Sequence, residues 1–225
     1  MPKKGLNIPW DQIETVLLDM DGTLIDDYHE DVFWHKIVPK AFAAKHGVDF
    51  EKAVRKVQEI YDSKRGTLEW GTVDKWARDL DLDVLGIRLQ LRKLIKLHPH
   101  TIKFLSAVKK RKKKMYLVTA ADTKDLDYKM TEIKIGKFFD GLYSQFEIEA
   151  PKQSELFWKR LQRLINFDND HTMLIDDNLT VLRTAQATGI KWVVFKAISS
   201  SRKPAAKTDG LPWIRHLDDI MPDGA

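Results

Sequence analysis

The chain has 225 residues, of which 43% are hydrophobic and 32% charged, so it is long enough and apolar enough to bury a core of its own. Its 38 basic residues stand beside 33 acidic ones, and this thin excess suits anionic metabolites at least as well as nucleic acid. Because cysteine is absent, disulfides, thiolate catalysis and cysteine-ligated zinc are excluded.

Targeting signals are the next feature to look for. Residues 1–10 lack the apolar stretch of a signal peptide, and no run approaches the roughly 20 apolar residues of a membrane span. We therefore expect a soluble cytoplasmic protein without a membrane partner. The sequence gives no indication of its oligomeric state.

Short apolar runs bounded by polar or turn residues predict β-strands at four places, and a fifth run is a weaker candidate. The four are residues 15–18, 115–118, 172–175 and 192–195, and the fifth is 142–146. Segments with helical spacing of apolar residues separate the later runs, for example Phe157, Leu161 and Leu164. This alternation predicts an α/β fold with a Rossmann-like, mainly parallel sheet.

A long helical segment interrupts the alternation between the first two strands. Aromatic and aliphatic residues recur there at helical spacing, and His98-Pro99 marks its end because a residue before proline disfavours helix. We predict a core formed by residues 1–25 and 99–225, with an inserted all-helical domain at 26–98.

A basic run at residues 109–114 (KKRKKK) allows two interpretations. It resembles a nucleic-acid patch, but it also fits a solvated helix end and turn before the strand at 115–118. We favour the second interpretation and expect no nucleic-acid partner.

Polar side chains follow three of the predicted strands. Asp19-Met20-Asp21-Gly22-Thr23-Leu24 begins directly after the first strand, Thr119 follows the second and Asp176-Asp177 follows the next. Carboxyl ends of parallel strands meet at one sheet edge, where such folds bind ligands. A structural alternative is helix capping, for which Asp177 or Asn178 is suitably placed. We expect one pocket that collects these groups.

Four carboxylates at one sheet edge need a cation. Like charges about 4 Å apart repel by roughly 4 kcal/mol at an effective dielectric constant of about 20. One lysine does not balance four carboxylates and a phosphate, whereas a hard divalent ion with oxygen ligands does. The pattern therefore predicts Mg²⁺.

These motifs resemble those of the haloacid dehalogenase superfamily of phosphatases and phosphotransferases. The run from Asp19 to Leu24 is similar to its first motif, Thr119 to its second, Lys152 after Pro151 to its third and Asp176-Asp177 to its fourth. Their order and spacing agree as well. The helical segment is similar to the small helical cap of the superfamily's first cap class.

The resemblance implies roles for individual residues. Asp19 attacks phosphorus to form an aspartyl-phosphate, and Asp21 protonates the leaving alkoxide and then activates water. Because an ester needs this proton and a halide does not, Asp21 favours a phosphatase over a dehalogenase. The implied ligands of Mg²⁺ are Asp19, Asp176 and the backbone carbonyl of Met20, with Asp177 supporting its waters. The implied phosphate ligands are Thr119, Lys152 and the backbone of Gly22 and Thr23.

One position departs from the family pattern. Many members have asparagine after the second-motif Ser or Thr, and this chain has Ala120. A polar contact is missing, which leaves open a protein of another class that binds phosphorylated ligands without turnover.

The helical segment carries a narrower resemblance. Residues 33–39 (FWHKIVP), 67–70 (TLEW) and 80–83 (LDLD), with Trp76, are similar to a bacterial group of nucleotidases in this superfamily that hydrolyse GMP and IMP. This implies a nucleoside monophosphate whose base stacks on Trp34 and Trp70. Core packing is the competing role for these tryptophans. Phosphoglycolate or a sugar phosphate is the alternative substrate.

Overall fold

The structure, a computed structural model, describes residues 6–222. Within this range six parallel strands form one sheet, in the order β3-β2-β1-β4-β5-β6. The strands are β1 (Thr15–Leu18), β2 (Lys114–Thr119), β3 (Gly141–Ser144), β4 (Thr172–Asp176), β5 (Trp192–Lys196) and β6 (Trp213–Ile214). The predicted α/β fold with a parallel sheet is confirmed. Strand β6 was not predicted because two residues leave no recognisable pattern.

The centre of the sheet is buried on both faces. Every residue of β1 and β4 is buried, which explains why these strands are continuous apolar runs. Strand β1 lies between β2 and β4, and Leu18 is level with Leu117 on one side and Ile175 on the other. This register places Asp19 directly beside Asp176, at the carboxyl edge of the sheet.

Helices cover both faces of the sheet. They are α6 (Thr101–Lys110), α7 (Thr123–Ile133), α8 (Glu155–Ile165) and α9 (Leu179–Ala187). Phe104 and Leu126 pack in one apolar core, and Phe157 and Val181 pack in a second core on the opposite face. Leu164, which the helical spacing placed on the buried stripe of α8, is 59% exposed, because the buried face of α8 ends at Leu161.

The basic run forms the end of α6, a turn and the first residue of β2. Lys109 lies 3.3 Å from the carboxylate of Asp140, and Arg111 lies 3.3 Å from that of Asp11. This is the arrangement that the helix-end interpretation predicted.

The segment between β1 and α6 is helical and has its own apolar cluster, which includes Phe33, Val57 and Trp76. Its helices are α1 (Tyr28–Val32), a π-helical turn (Phe33–Ile37), α2 (Val38–His46), α3 (Phe50–Lys64), a 3₁₀ turn (Leu68–Gly71), α4 (Val73–Leu80), α5 (Val84–Gln90) and a 3₁₀ turn (Arg92–Leu94). We call this segment the helical insertion. No helix in the described range is both long and apolar enough to cross a bilayer.

The chain enters and leaves the helical insertion at neighbouring points. Ile25 and Leu97 form an antiparallel bridge, and the His98 N–H donates to the Leu24 carbonyl at 2.9 Å. The Asp26 N–H donates to the Lys96 carbonyl at 2.8 Å. The two connections therefore lie side by side at the carboxyl edge of the sheet.

Candidate active site

Residues from three of the sequence motifs meet at this edge. The Lys152 ammonium lies 2.6 Å from Asp19 Oδ1 and 2.7 Å from Asp176 Oδ2, and all three side chains are buried. Burial disfavours the charge on Lys152, but the two carboxylates outweigh it and raise the pKa of its ammonium group. Lys152 therefore stays a cation between the two aspartates.

A second cation fits among the carboxylates. Asp19, Asp176 and Asp177 each offer an oxygen, and these oxygens lie within 4.8 Å of one another. Asp19 Oδ2 is buried and accepts no hydrogen bond from the residues that the structure describes. One lysine leaves the three negative charges only partly balanced, and the all-oxygen donor set suits a hard divalent ion such as Mg²⁺.

Helix capping does not account for Asp177. The Asn178 side chain accepts the N–H groups of Thr180 and Val181 at 3.0 and 3.3 Å, so it is Asn178 that caps α9. The capping alternative therefore applies to Asn178, and Asp177 lines the cavity described below.

The carboxylates of this site resist ionisation. Burial, opposed by Lys152 and assisted by the charge of Asp176, raises the pKa of Asp19 to about 6. Burial and the charges of Asp19 and Asp176 raise the pKa of Asp177 well above its usual range. Without a divalent cation, the site holds protons that the same groups in an unfolded chain have already lost.

Because the carboxyl groups of this site retain protons, the effect of Mg²⁺ on the melting temperature is expected to depend on pH. A carboxyl with a raised pKa contributes stability below its ordinary value of 3.8, and this contribution is lost as the pH rises through about 6 for Asp19. A divalent cation held by these residues would bind their ionised forms, so we expect Mg²⁺ to raise the melting temperature more at pH 8 than at pH 5. Thermal denaturation with EDTA and with Mg²⁺ at both pH values measures this difference. An equal rise at the two values contradicts it.

Asp21 lies in a network of charges that the sequence did not reveal. The buried Lys129 ammonium contacts Asp21 Oδ2 at 2.7 Å and also contacts Glu30 and Asp125, each at 2.9 Å. Arg88 donates to both oxygens of Glu30 at 2.5 and 3.1 Å. Lys129 and Asp125 belong to α7, whereas Glu30 and Arg88 belong to the helical insertion.

His29 completes this network and was also missed. Its Nδ1 lies 2.9 Å from the Asp26 carbonyl, and its Nε2 lies 3.2 Å from Glu30 and 3.5 Å from Asp21. The pKa of His29 is raised, because the combined effects of Glu30 and Asp21 are larger than the opposing effect of burial. Both ring nitrogens face acceptors, an arrangement that favours the imidazolium.

Thr119 ends β2 at the same edge and lines the cavity together with Ala120 and Ala121. Its hydroxyl oxygen accepts the Ala121 N–H at 3.1 Å, which fixes the side chain while its own O–H remains available as a donor. Ala120 presents only a methyl group where many family members present an amide.

The structure of the turn after Asp19 bears on three of the sequence-based assignments. The Met20 carbonyl accepts the N–H groups of Leu24 and Ile25, each at 2.9 Å, so both of its lone pairs are engaged and it is not free to bind a metal. The Gly22 N–H donates to the Ile25 carbonyl at 2.8 Å, so it is not free to bind phosphate. Thr23 is fully buried, and the assignment of its backbone N–H to phosphate stays a prediction.

Gly22 is needed for a different reason. Its φ is +81°, and a Cβ atom there would lie 2.2 Å from Asp177 Oδ2. We expect Gly22→Ala to lower the free energy of unfolding by about 1–3 kcal/mol through backbone strain and the clash, and to reduce activity by displacing Asp177. Denaturant unfolding and phosphate release measure the two effects.

Gly66 provides the matched control for this variant. Its φ is +78°, but nothing lies within 4 Å of an added Cβ atom. Gly66→Ala therefore measures backbone strain alone. If the two variants lose equal stability and both remain fully active, the close approach of Gly22 to Asp177 has no consequence.

A cavity of about 430 Å³ connects the sheet edge with the helical insertion. Asp19, Asp21, Thr119, Lys152, Asp176 and Asp177 line it on the sheet side, and Trp34, Tyr61, Trp70 and Trp76 line it on the other. The aromatic rings also pack on one another, with centroids 4.7 Å apart for Trp34 and Trp76 and 4.1 Å apart for Tyr61 and Trp70. Trp34 and Trp70 thus pack against neighbouring rings and border the cavity as well.

Comparison with known proteins agrees with this geometry. Residues 13–189 match the family of haloacid dehalogenase-like hydrolases. The GMP/IMP nucleotidase YrfG of Escherichia coli K12 is 32% identical over 187 residues, which make up 83% of this chain and 84% of that protein. A nucleotidase of the same name from Shigella flexneri matches to the same extent.

Solved structures share the fold over 92% of this chain. A haloacid dehalogenase-type phosphatase from Thermococcus onnurineus aligns with a TM-score of 0.75 at 18% identity, over 95% of its own chain. The L-2-haloacid dehalogenase of Xanthobacter autotrophicus aligns with a TM-score of 0.60 at 14% identity, over 96% of its chain. With the sequence motifs, the sheet topology and the 32% identical nucleotidase taken together, the chain belongs to the haloacid dehalogenase-like hydrolase family and is a phosphatase of that type.

Proposed function

We propose that this phosphatase is a magnesium-dependent phosphomonoester hydrolase that acts through an aspartyl-phosphate on Asp19, with purine 5'-monophosphates as substrates. The observation that supports it most directly is the asymmetry of the Asp19 carboxylate. Oδ1 is held by Lys152, whereas Oδ2 is buried at the cavity without a hydrogen-bond partner in the described range. A fixed carboxylate with one free oxygen is a nucleophile ready for attack.

The proposed reaction has two steps. The Asp19 carboxylate forms a bond to phosphorus as the bond from phosphorus to the alkoxide oxygen breaks, and Asp21 donates a proton to that oxygen. Asp21 then takes a proton from a water molecule that attacks the phosphorus, which releases phosphate and regenerates Asp19. Lys152 and the Thr119 hydroxyl hold the phosphoryl oxygens throughout.

The residues that would hold Mg²⁺ are Asp19 and Asp176, with Asp177 beside them. Bound there, the ion neutralises charge at the phosphoryl oxygens and makes the approach of a phosphate to several carboxylates favourable. Lys152 balances part of the same charge from the buried side of the site.

Two observations favour a purine nucleotide over a small sugar phosphate. The 32% identical relative carries the name of a GMP/IMP nucleotidase. The cavity extends from the candidate phosphate site to the rings of Trp34 and Trp70, which offer flat apolar faces to a base. We propose that residues 26–98 act as a cap that supplies this base site.

A panel of phosphate monoesters tests the substrate. We expect Mg²⁺-dependent phosphate release to be fastest with GMP and IMP, and slower with phosphoglycolate and hexose phosphates. Trp70→Ala should raise KM for the nucleotides by roughly 5- to 100-fold, because stacking contributes about 1–3 kcal/mol per base, and should leave KM for phosphoglycolate unchanged. A preference for phosphoglycolate or a sugar phosphate contradicts the nucleotidase assignment, and ligand binding without any turnover contradicts the phosphatase mechanism.

A further inference from the structure

Lys129 is fully enclosed, and three carboxylates surround its ammonium group. An ammonium group has three N–H donors, and Lys129 has three carboxylate partners, Asp21, Glu30 and Asp125, at 2.7–2.9 Å. Its side chain is 1% exposed. The ammonium therefore has no freedom to rotate away from Asp21 without losing a contact.

The partners of Lys129 are themselves held in place. Glu30 receives both N–H groups of the Arg88 fork, and the Arg88 guanidinium lies 4.3 Å from the centre of the Phe33 ring. Burial disfavours the charge on Lys129, but its carboxylate partners outweigh burial and raise its pKa. The cation is thus permanent and is fixed from α7 on one side and from the helical insertion on the other.

The two carboxylate oxygens of Asp21 differ in their hydrogen bonding, because only one of them contacts Lys129. Oδ2 accepts the lysine N–H at 2.7 Å, whereas Oδ1 is buried and accepts no hydrogen bond from residues 6–222. His29 Nε2 lies 3.5 Å from Oδ1 and 3.2 Å from Glu30. Lys129 therefore holds the Asp21 carboxylate through one of its two oxygens and fixes its orientation.

We propose that Lys129 is a positioning residue that holds the Asp21 carboxylate through Oδ2 in the orientation from which Asp21 gives its proton to the leaving group. The inference rests on the proposed function and deepens it. Lys129 does not contact the reacting atoms; it acts through Asp21. Because Glu30 and Arg88 fix Lys129 from the helical insertion, the insertion takes part in setting the acid as well as in closing the cavity.

The test compares leaving groups that differ in their need for a proton. The ribose alkoxide of IMP needs one, whereas p-nitrophenolate leaves readily as an anion. We expect Lys129→Met to lower kcat for IMP by roughly 10²-fold or more, the usual contribution of a positioned general acid, and to lower kcat for p-nitrophenyl phosphate by less than about 10-fold. A role confined to holding the fold would lower both rates by the same factor.

Lys124→Met is the matched control. Lys124 lies on the same helix and also pairs with the helical insertion, through Asp74 at 2.6 Å, but it is exposed and does not contact Asp21. We expect it to change neither rate by more than about 2-fold, since exposed ion pairs contribute little. A leaving-group effect as large in Lys124→Met as in Lys129→Met would overturn the inference.

Lys129→Met removes the ammonium group that three carboxylates share, and this loss of charge balance can unfold the protein. The double variant Lys129→Met/Asp125→Asn removes one positive and one negative charge together, and it should show the same difference between the two esters. Equal losses on both esters in a folded variant overturn the inference alone. A parent protein that releases phosphate from neither ester overturns the proposed function, and the inference with it.

Discussion

Replacing Asp19 with Asn is expected to reduce phosphate release by roughly 10³-fold or more, because an amide does not attack phosphorus as a carboxylate does. Asp19 lines the cavity, and its Oδ2 accepts no hydrogen bond from the residues that the structure describes. The fold should persist, since Lys152 keeps Asp176 as its partner at 2.7 Å. Steady-state phosphate release and circular dichroism measure the two properties.

Asp11→Asn is the control for this substitution. The Asp11 side chain is 99% exposed and lies outside the site, so the same chemical change there should leave turnover intact. Mass spectrometry of acid-quenched protein should find a phosphorylated species in the parent during turnover and none in Asp19→Asn. Turnover by Asp19→Asn at the parent rate would remove Asp19 from its proposed role.

Lys152→Met is expected to impair both turnover and stability. Without the ammonium, Asp19 and Asp176 become buried carboxylates that lack a cation, a change that typically destabilises a protein by about 3–5 kcal/mol. Loss of a cation at the phosphoryl group should reduce kcat by roughly 10²- to 10³-fold. Denaturant unfolding in EDTA and in Mg²⁺ measures the first effect, and phosphate release measures the second.

The stability of Lys152→Met should depend strongly on Mg²⁺. Because the ion is then the remaining cation among Asp19, Asp176 and Asp177, we expect it to recover more stability in the variant than in the parent. Lys159→Met serves as the control, because Lys159 makes an exposed pair with Glu155 at 2.7 Å and such pairs contribute little to stability. If Lys152→Met and Lys159→Met have the same stability in EDTA, the buried lysine does not balance the aspartates.

Sequence reasoning located the strands and the acidic groups because local pattern determines both. A strand buried on both faces is a continuous apolar run, as in β1 and β4, and the residue that follows it lies at the ligand-binding edge. Asp19, Thr119 and Asp176 therefore followed from their positions after strands. The pairing of β1 with β4 brings Asp19 and Asp176 together as that argument required.

The Asp21 network could not be found in this way. Lys129 is 108 residues from Asp21 and 99 residues from Glu30, and a lysine on a helix is in most proteins a solvated surface residue. His29 likewise does not belong to any sequence pattern that is typical of metal ligands. Their burial depends on the packing of the helical insertion against α7, which no local pattern encodes.

The turn after Asp19 shows a second limit of prediction from sequence. The glycine correctly predicted a tight turn, but the turn satisfies its own N–H and C=O groups internally, through Met20, Gly22 and Ile25. Which backbone groups remain free depends on the hydrogen bonds of the folded turn. Residue types alone did not determine that the Met20 carbonyl and the Gly22 N–H form hydrogen bonds within the turn, and the assignment of Thr23 stays a prediction.

The chain enters and leaves the helical insertion at neighbouring points, and this affects which insertions the fold can accept. Because Ile25 bridges Leu97 and His98 bonds to Leu24, the sheet has in effect a short hairpin at this point, whatever lies between residues 26 and 96. An inserted module of another length or shape can start and finish at the same two positions without shifting a single strand. Selection for a new substrate would thus be able to remodel the helical insertion, where we propose that the base binds, while the strands that carry the acidic residues keep their register.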